Sequence, residues 1–153
     1  MHRLSDEQYM EIALQQTELA AEHGEVPVGA VLVLPDGKQF VAHNAPISTC
    51  DASAHAEMQV IRAACTAIGN YRLVGAQLFV TLEPCIMCAG AIIHARIKRV
   101  IYGASEPKTG AVESLYQLLS DERLNHQAEL TGGVLADVCR TQIKDFFKSR
   151  RKK

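Results

Sequence analysis

Cys85 and Cys88 lie three residues apart in EPCIMCAGAIIH, Glu83 to His94. At that spacing on the first turn of a helix, both thiols face the same way. The positive partial charge and free N–H groups of a helix N-terminus favour thiolate over thiol. Metal binding and thiol redox chemistry are both served by this arrangement, and two cysteines on a helix need have no chemistry at all. Redox use would want a thioredoxin-like βαβ setting and a reversible Cys85–Cys88 disulfide. A tetrahedral metal would want further ligands. SAHAEM, Ser53 to Met58, puts His55 and Glu57 in the first turn of another helix. His55 can complete a His/Cys/Cys set that leaves the fourth zinc position to water, the pattern of a catalytic site, whereas a structural site is closed by four protein ligands. Two thiolates already donate charge to the metal and weaken its pull on a bound water. Glu57 can then accept the water's proton as general base and return it to a substrate nitrogen as general acid. The plainer role for Glu57 is an acid that complements a helix N-terminus.

These residues need elements to carry them. Ser5 and Gln8 form a capping box before Met10, Ala13, Leu14, Thr17 and Ala20 at helical spacing, with a stop near Gly24. VGAVLVL, Val28 to Leu34, reads as a buried strand, and the turn Pro35 to Gly37 leads into a second strand over Phe40 to His43. A helix is expected from about Ser53 to Ile68, ended by Gly69. A strand from Ala76 to Leu82 then runs into Glu83-Pro84 and a helix over Cys85 to Ala95, with Pro84 in its first turn. Arg99 to Ala104 is a further strand, Leu115 to Leu119 a short helix, and Ala136 to Lys148 a last helix with Val138, Ile143, Phe146 and Phe147 turned partly inward. Strands alternating with helices imply an α/β fold with helices on both faces of the sheet, and the opening hairpin makes that sheet mixed.

A chain of 153 residues without repeats, low-complexity segments or a Pro/Gly-rich linker reads as one domain spanning 1–153. Its 48% apolar and 22% charged content is that of a soluble globular protein. No apolar run reaches the length of a membrane span, and MHRLSDEQYM lacks the apolar stretch of a secretory signal. Five cysteines without a framework spacing fit a reducing, cytoplasmic compartment. The net charge of −1 hides an asymmetry. The first helix carries Asp6, Glu7, Glu11, Glu18 and Glu22, whereas the helix and tail from about 136 carry Arg140, Lys144, Lys148, Arg150, Arg151, Lys152 and Lys153. Such a segment is either a footprint for a phosphate backbone or a solvated basic tail.

H-A-E followed by P-C-x-x-C is the signature of zinc-dependent nucleoside and nucleobase deaminases. The flanks narrow it. EVPVGAVLV (Glu25 to Val33), NYRL (Asn70 to Leu73), VTLEPCIMCAGAIIHARIKRVIYGA (Val80 to Ala104), KTGA (Lys108 to Ala111), GVLAD (Gly133 to Asp137) and DFF (Asp145 to Phe147) resemble, in order along nearly the whole chain, the bacterial tRNA-specific adenosine deaminases of the cytidine/deoxycytidylate deaminase superfamily. That resemblance implies a cytidine-deaminase-like three-layer α/β/α sandwich with a central mixed sheet of about five strands, and a homodimer. The implied reaction is hydrolytic deamination of the wobble adenosine in a tRNA anticodon stem-loop to inosine. His55, Cys85 and Cys88 would hold one Zn2+ per chain, and Glu57 would shuttle protons as zinc-activated water attacks C6 of adenine. By the same resemblance Asn44 would hydrogen-bond the flipped nucleotide, and Val28 and the backbone at Ala56 would line the base pocket. Lys108, Phe147, Lys148 and Arg150 would meet the anticodon loop, and basic plus aromatic character suits single-stranded RNA. Glu106 stands where the family carries Asp, and Glu113 where it carries Gly, which bears on contact with the ribose. Two other functions predict different outcomes: a deaminase of a free nucleobase or nucleoside needs no extended cationic surface, and an RNA-binding module with structural zinc needs a protein fourth ligand.

Overall fold

The computed structural model describes residues 3–151. Five strands form one mixed sheet: β1 (Gly29–Val33), β2 (Gln39–His43), β3 (Gln77–Leu82), β4 (Arg99–Ala104) and β5 (Glu129–Thr131), in the order β2-β1-β3-β4-β5. β1 pairs antiparallel with both β2 and β3, and β3, β4 and β5 run parallel. Helices α1 (Asp6–Glu22) and α5 (Ala136–Arg151) pack on one face, and α3 (Ala56–Ile68) and α4 (Ile86–Ala95) on the other. This is the expected α/β/α sandwich. β1 is apolar throughout because alternate residues serve opposite layers: Ala30 and Leu32 join the α3/α4 core, and Val31 and Val33 join the α1/α5 core.

The capping box at Ser5 and Gln8 is present, and α1 starts where it directs. Asp6, in the first turn of that helix, forms a two-pronged ion pair with Arg99 of β4 at 2.7 and 2.9 Å. Glycines let the helices of this face come close. A Cβ on Gly29 would lie 2.0 Å from the carbonyl oxygen of Ala13, and one on Gly103 would lie 2.4 Å from Sγ of Cys139.

Several boundaries differ from expectation. α3 begins at Ala56, three residues after Ser53, because Asp51 ties down the intervening turn through the N–H and hydroxyl of Ser53. Pro84 sits one residue before the cap of α4 and outside its first turn, and its carbonyl accepts the N–H of Ala111. Leu115 to Leu119 is not a helix; a single 3₁₀ turn covers Leu118–Ser120. A four-residue helix, α2 (Pro46–Thr49), and the edge strand β5 are further elements that periodicity cannot show, since each is shorter than one clear repeat. In α5 it is Cys139 that is buried; Val138 and Phe147 are exposed, because the helix touches the sheet along a narrow stripe. Lys152 and Lys153 lie outside the described residues.

Gly29→Ala should therefore cost about 2 kcal/mol of stability, as overpacked cores do. A urea titration checks this, and an unshifted midpoint would contradict so close a seat for α1.

Candidate active site

His55 and Cys85 occupy the cap positions of α3 and α4. Neither side chain caps its own helix, so both are free to turn outward at the positive ends of two helices. Cys88, one turn into α4, completes the group. Nδ1 of His55 lies 3.6 Å from Sγ of Cys85 and 3.5 Å from Sγ of Cys88, and the three ligand atoms all fall within 4.8 Å of one another. Tetrahedral zinc with ordinary Zn–S and Zn–N bonds would separate a nitrogen and a sulfur ligand by about 3.6 Å. The donor set therefore fits zinc in both chemistry and spacing, and among the described residues it is the one group of three such side chains close enough to hold an ion.

Without metal, the three groups share protons. The thiol of Cys88 donates to Cys85, holding the latter at about 4 against the opposing effect of burial, with His55 assisting. Cys88 is pushed far up by that same bond and by burial. His55 is raised chiefly by its bond to Cys85. A thiolate, an imidazolium and a thiol thus face one point with no net charge, and His55 and Cys88 must each release a proton for all three to act as zinc ligands. Glu57, at the second position of α3, is 3% exposed, and burial drives its carboxyl up to about 7. It lies in reach of Cys88, beside the ligands rather than among them, which suits a proton carrier.

A cavity of about 220 Å³ opens over this group. Val26, Val28, Leu82 and Pro46 give it apolar walls, and Asn44 and Thr109 give it polar ones. A larger hollow of about 320 Å³, lined by Leu115 to Leu118, Ser120, Asp121 and Arg123, has no ligating cluster. Asn44 follows β2, and its Oδ1 accepts the N–H of Ala56 at 2.8 Å. The side chain thereby caps α3, the helix that carries Glu57, and its amide nitrogen remains to donate. The N–H of Ala56 is taken up in that bond. Glu106 is not among the lining residues; in the loop that carries Thr109, its carboxylate accepts the N–H of Lys108 at 2.9 Å and closes a turn. Lys108 itself is exposed.

The C-terminal residues stand apart from the cavity lining. Phe147 and Lys148 are exposed on α5. Arg150 lies 4.9 Å over the ring of Phe146 and comes against Gly24 at the end of α1. Glu113 accepts the hydroxyl hydrogen bond of buried Tyr102 and so ties the loop after β4 to the strand.

Sequence reasoning gave no role to Glu25, Pro46, Leu82, Glu83 or Thr109. Glu25 and Glu83 are buried, and multiple hydrogen bonds hold both carboxyls below the ordinary range although burial pushes the other way. Both stood inside quoted motifs, each an acid next to an apolar residue and within two residues of a proline.

Residues 3–104 match the family described as cytidine and deoxycytidylate deaminase zinc-binding region. The chain is 49% identical over 148 residues to the tRNA-specific adenosine deaminase of Bacillus subtilis, covering 97% of this chain and 92% of that protein. It is 47% identical over 148 residues to the protein of the same name from Haemophilus influenzae, covering 95% and 85%. A solved structure from a study of A-to-I editing by tRNA:A34 deaminases at the wobble position superposes with a TM-score of 0.84 at 46% identity, over 88% of this chain and 98% of that one. A guanine deaminase from Nitrosomonas europaea shares the fold at a TM-score of 0.80 and 17% identity, over 95% and 86%. The zinc-ready His/Cys/Cys group, the buried acid beside it and relatives matched over nearly their full length agree, and the chain belongs to the tRNA-specific adenosine deaminases of the cytidine and deoxycytidylate deaminase zinc-binding family.

Proposed function

We propose that this protein hydrolyses the wobble adenosine of a tRNA anticodon to inosine, releasing ammonia, within one deaminase domain spanning the chain. The observation that carries the reading is the buried Glu57 beside the His55/Cys85/Cys88 group at the floor of a small, mostly apolar cavity. Zinc held by those three side chains supplies the chemistry of acidifying water, which makes a nucleophile available at neutral pH. The rest falls to the chain. Glu57, buried beside the ligands, accepts one proton of the attacking water and delivers it to the purine nitrogen, where inosine keeps it. It then carries the water's second proton to the leaving amine, which departs as ammonia. Val28 and Leu82 bury the faces of the base, and their apolar surface keeps bulk water from the carboxyl. Asn44, already fixed by Ala56, turns its amide nitrogen to the nucleotide. Glu106 is assigned to the ribose of the nucleotide by the family resemblance, and Lys108 with Phe147, Lys148 and Arg150 of α5 to the flanking RNA by positive charge and aromatic character.

The partner in assembly is a second copy of this chain. Exposed Ile86 lines one hollow with Ile93, Leu118 and Leu124, and exposed Leu115 and Tyr116 line a second that shares Leu118 with it, together an apolar face that a homodimer would cover. No helix among the described residues is long and apolar enough to cross a membrane. We assign the protein to the cytoplasm, where tRNA is processed.

An anticodon stem-loop with adenosine at the wobble position, incubated with zinc-loaded protein, should yield inosine, whereas free adenosine, cytidine and guanine should not turn over appreciably. Product from the free compounds alone would replace this reading with a small-molecule deaminase. Glu57→Gln should keep one zinc per chain and lose about 10²- to 10⁴-fold in turnover. The same variant tests the burial of the acid. In the metal-free fold Glu57 holds its proton to about 7, against 4.5 ordinarily, so stability falls as pH rises between those values and the full cost is present above them. Glu57→Gln should therefore raise the urea midpoint of metal-free protein at about pH 8 and leave it unchanged near pH 4. An equal effect at both would show that the carboxylate is not penalised by the fold.

A further inference from the structure

The reaction leaves two buried acids without a task. Glu25 is 1% exposed and accepts the N–H of Ile47 at 3.2 Å, the N–H of Ser48 at 2.7 Å and the hydroxyl of Ser48 at 2.7 Å. Those amides are the second and third of α2. The first residue, Pro46, has no N–H, and Ala45 before it has no side chain able to cap. Glu25 supplies from a distance the cap that the local sequence omits. α2 buries none of its own residues, so apolar contact does not seat it. Across the cavity, Glu83 is 3% exposed and accepts the N–H groups of Glu106 (3.0 Å), Val112 (3.3 Å), Glu113 (2.9 Å) and Ser114 (2.8 Å), together with the hydroxyl of Ser114. The loop wraps this carboxylate so closely that a Cβ on Gly110 would fall 2.3 Å from its carbon. Pro107, Lys108 and Thr109, at the tip of that loop, are exposed.

The two held segments are the two lips of the cavity. Asn44 and Pro46 belong to the first, and Thr109 to the second. A carboxylate removed from water is tolerated only with a full set of donors, and each acid finds that set in one lip. The constraint works in both directions: the amides satisfy the acid, and the acid fixes the amides. A carboxamide of equal size cannot replace it, because half of its polar end would donate toward N–H groups that also donate.

We propose that Glu25 and Glu83 are positioning residues for the substrate nucleotide, each holding one lip so that a single-stranded nucleotide enters between preset walls. Neither touches the reacting atoms. This rests on the anticodon reading above, and amide hydrogen exchange separates the two because it reports on the lips with no substrate present.

The test uses full-length, zinc-loaded Glu25→Gln and Glu83→Gln, with Ser48→Ala and Ser114→Ala as milder variants that keep each carboxylate should the carboxamides fail to fold. Zinc content should stay at one per chain. In Glu25→Gln the amides of Ile47 and Ser48, and in Glu83→Gln those of Glu106, Val112, Glu113 and Ser114, should exchange at least about tenfold faster while core-strand amides hold their rates. KM for the stem-loop should rise about tenfold with kcat within about twofold, the mark of lost binding geometry without lost chemistry. The serine variants should move both readings the same way, by about threefold. Unchanged lip exchange, loosened lips with parental KM, lower kcat at parental KM, or faster exchange throughout the fold would each overturn the proposal. If the unsubstituted protein made no inosine, the functional reading would fall instead, and the exchange pattern would still decide whether the acids hold the lips.

Discussion

β1 lies between β2 and β3 and runs antiparallel to both, and the active centre depends on that pairing. The register sets Gly29 beside His43 and Ala30 beside Val80. The start of β1 and the ends of β2 and β3 therefore share one edge of the sheet, and the parallel pair of β3 and β4 brings Ala104 to the same edge. The segment before β1 delivers Glu25, Val26 and Val28. The segment after β2 delivers Asn44, the one after β3 delivers Glu83 and Cys85, and the one after β4 delivers the loop from 105 onward. Ligands of open α/β sheets collect outside the carboxyl ends of strands for this geometric reason. Slipping the β1–β3 pair by one residue would exchange the two cores and move the thiols away from His55.

The site is also a study in how one side-chain type is given opposite duties by its surroundings. Glu25, Glu57 and Glu83 are all nearly inaccessible to water. Amide and hydroxyl donors surround the first and last, so both remain charged and inert. Glu57 has no comparable set. Its burial makes it hold a proton at a pH where a surface acid has long released it. Fold stability is spent at that one position to obtain a group that gives and takes protons near neutrality.

Much of this was legible beforehand. The Ser5–Gln8 box, the apolar run of β1 and the stops at Gly24 and Gly69 are local signals, and local physics decides them. His55, Cys85, Cys88 and Glu57 could be paired across thirty residues because metal ligation restricts both residue type and spacing. The short α2, the edge strand β5 and the start of α3 could not, since tertiary bonds fix each of them: Glu25 caps α2, β4 provides the register of β5, and Asp51 delays α3. Glu25 and Glu83 look like surface acids in a linear reading. Their partners lie more than twenty residues away, and apart from the hydroxyls of Ser48 and Ser114 they are backbone amides, which leave no trace in side-chain pattern.

That last property has an evolutionary consequence. Every N–H that Glu25 and Glu83 hold belongs to the main chain, and a main-chain amide is the same whatever residue bears it. Ile47, Thr49, Pro107 and Lys108 can drift without loosening the frame around them, whereas the two acids and Gly110 cannot. A lineage can thus rewrite the side chains that greet its substrate while inheriting the distance between them, so recognition can diverge on a mouth of constant width.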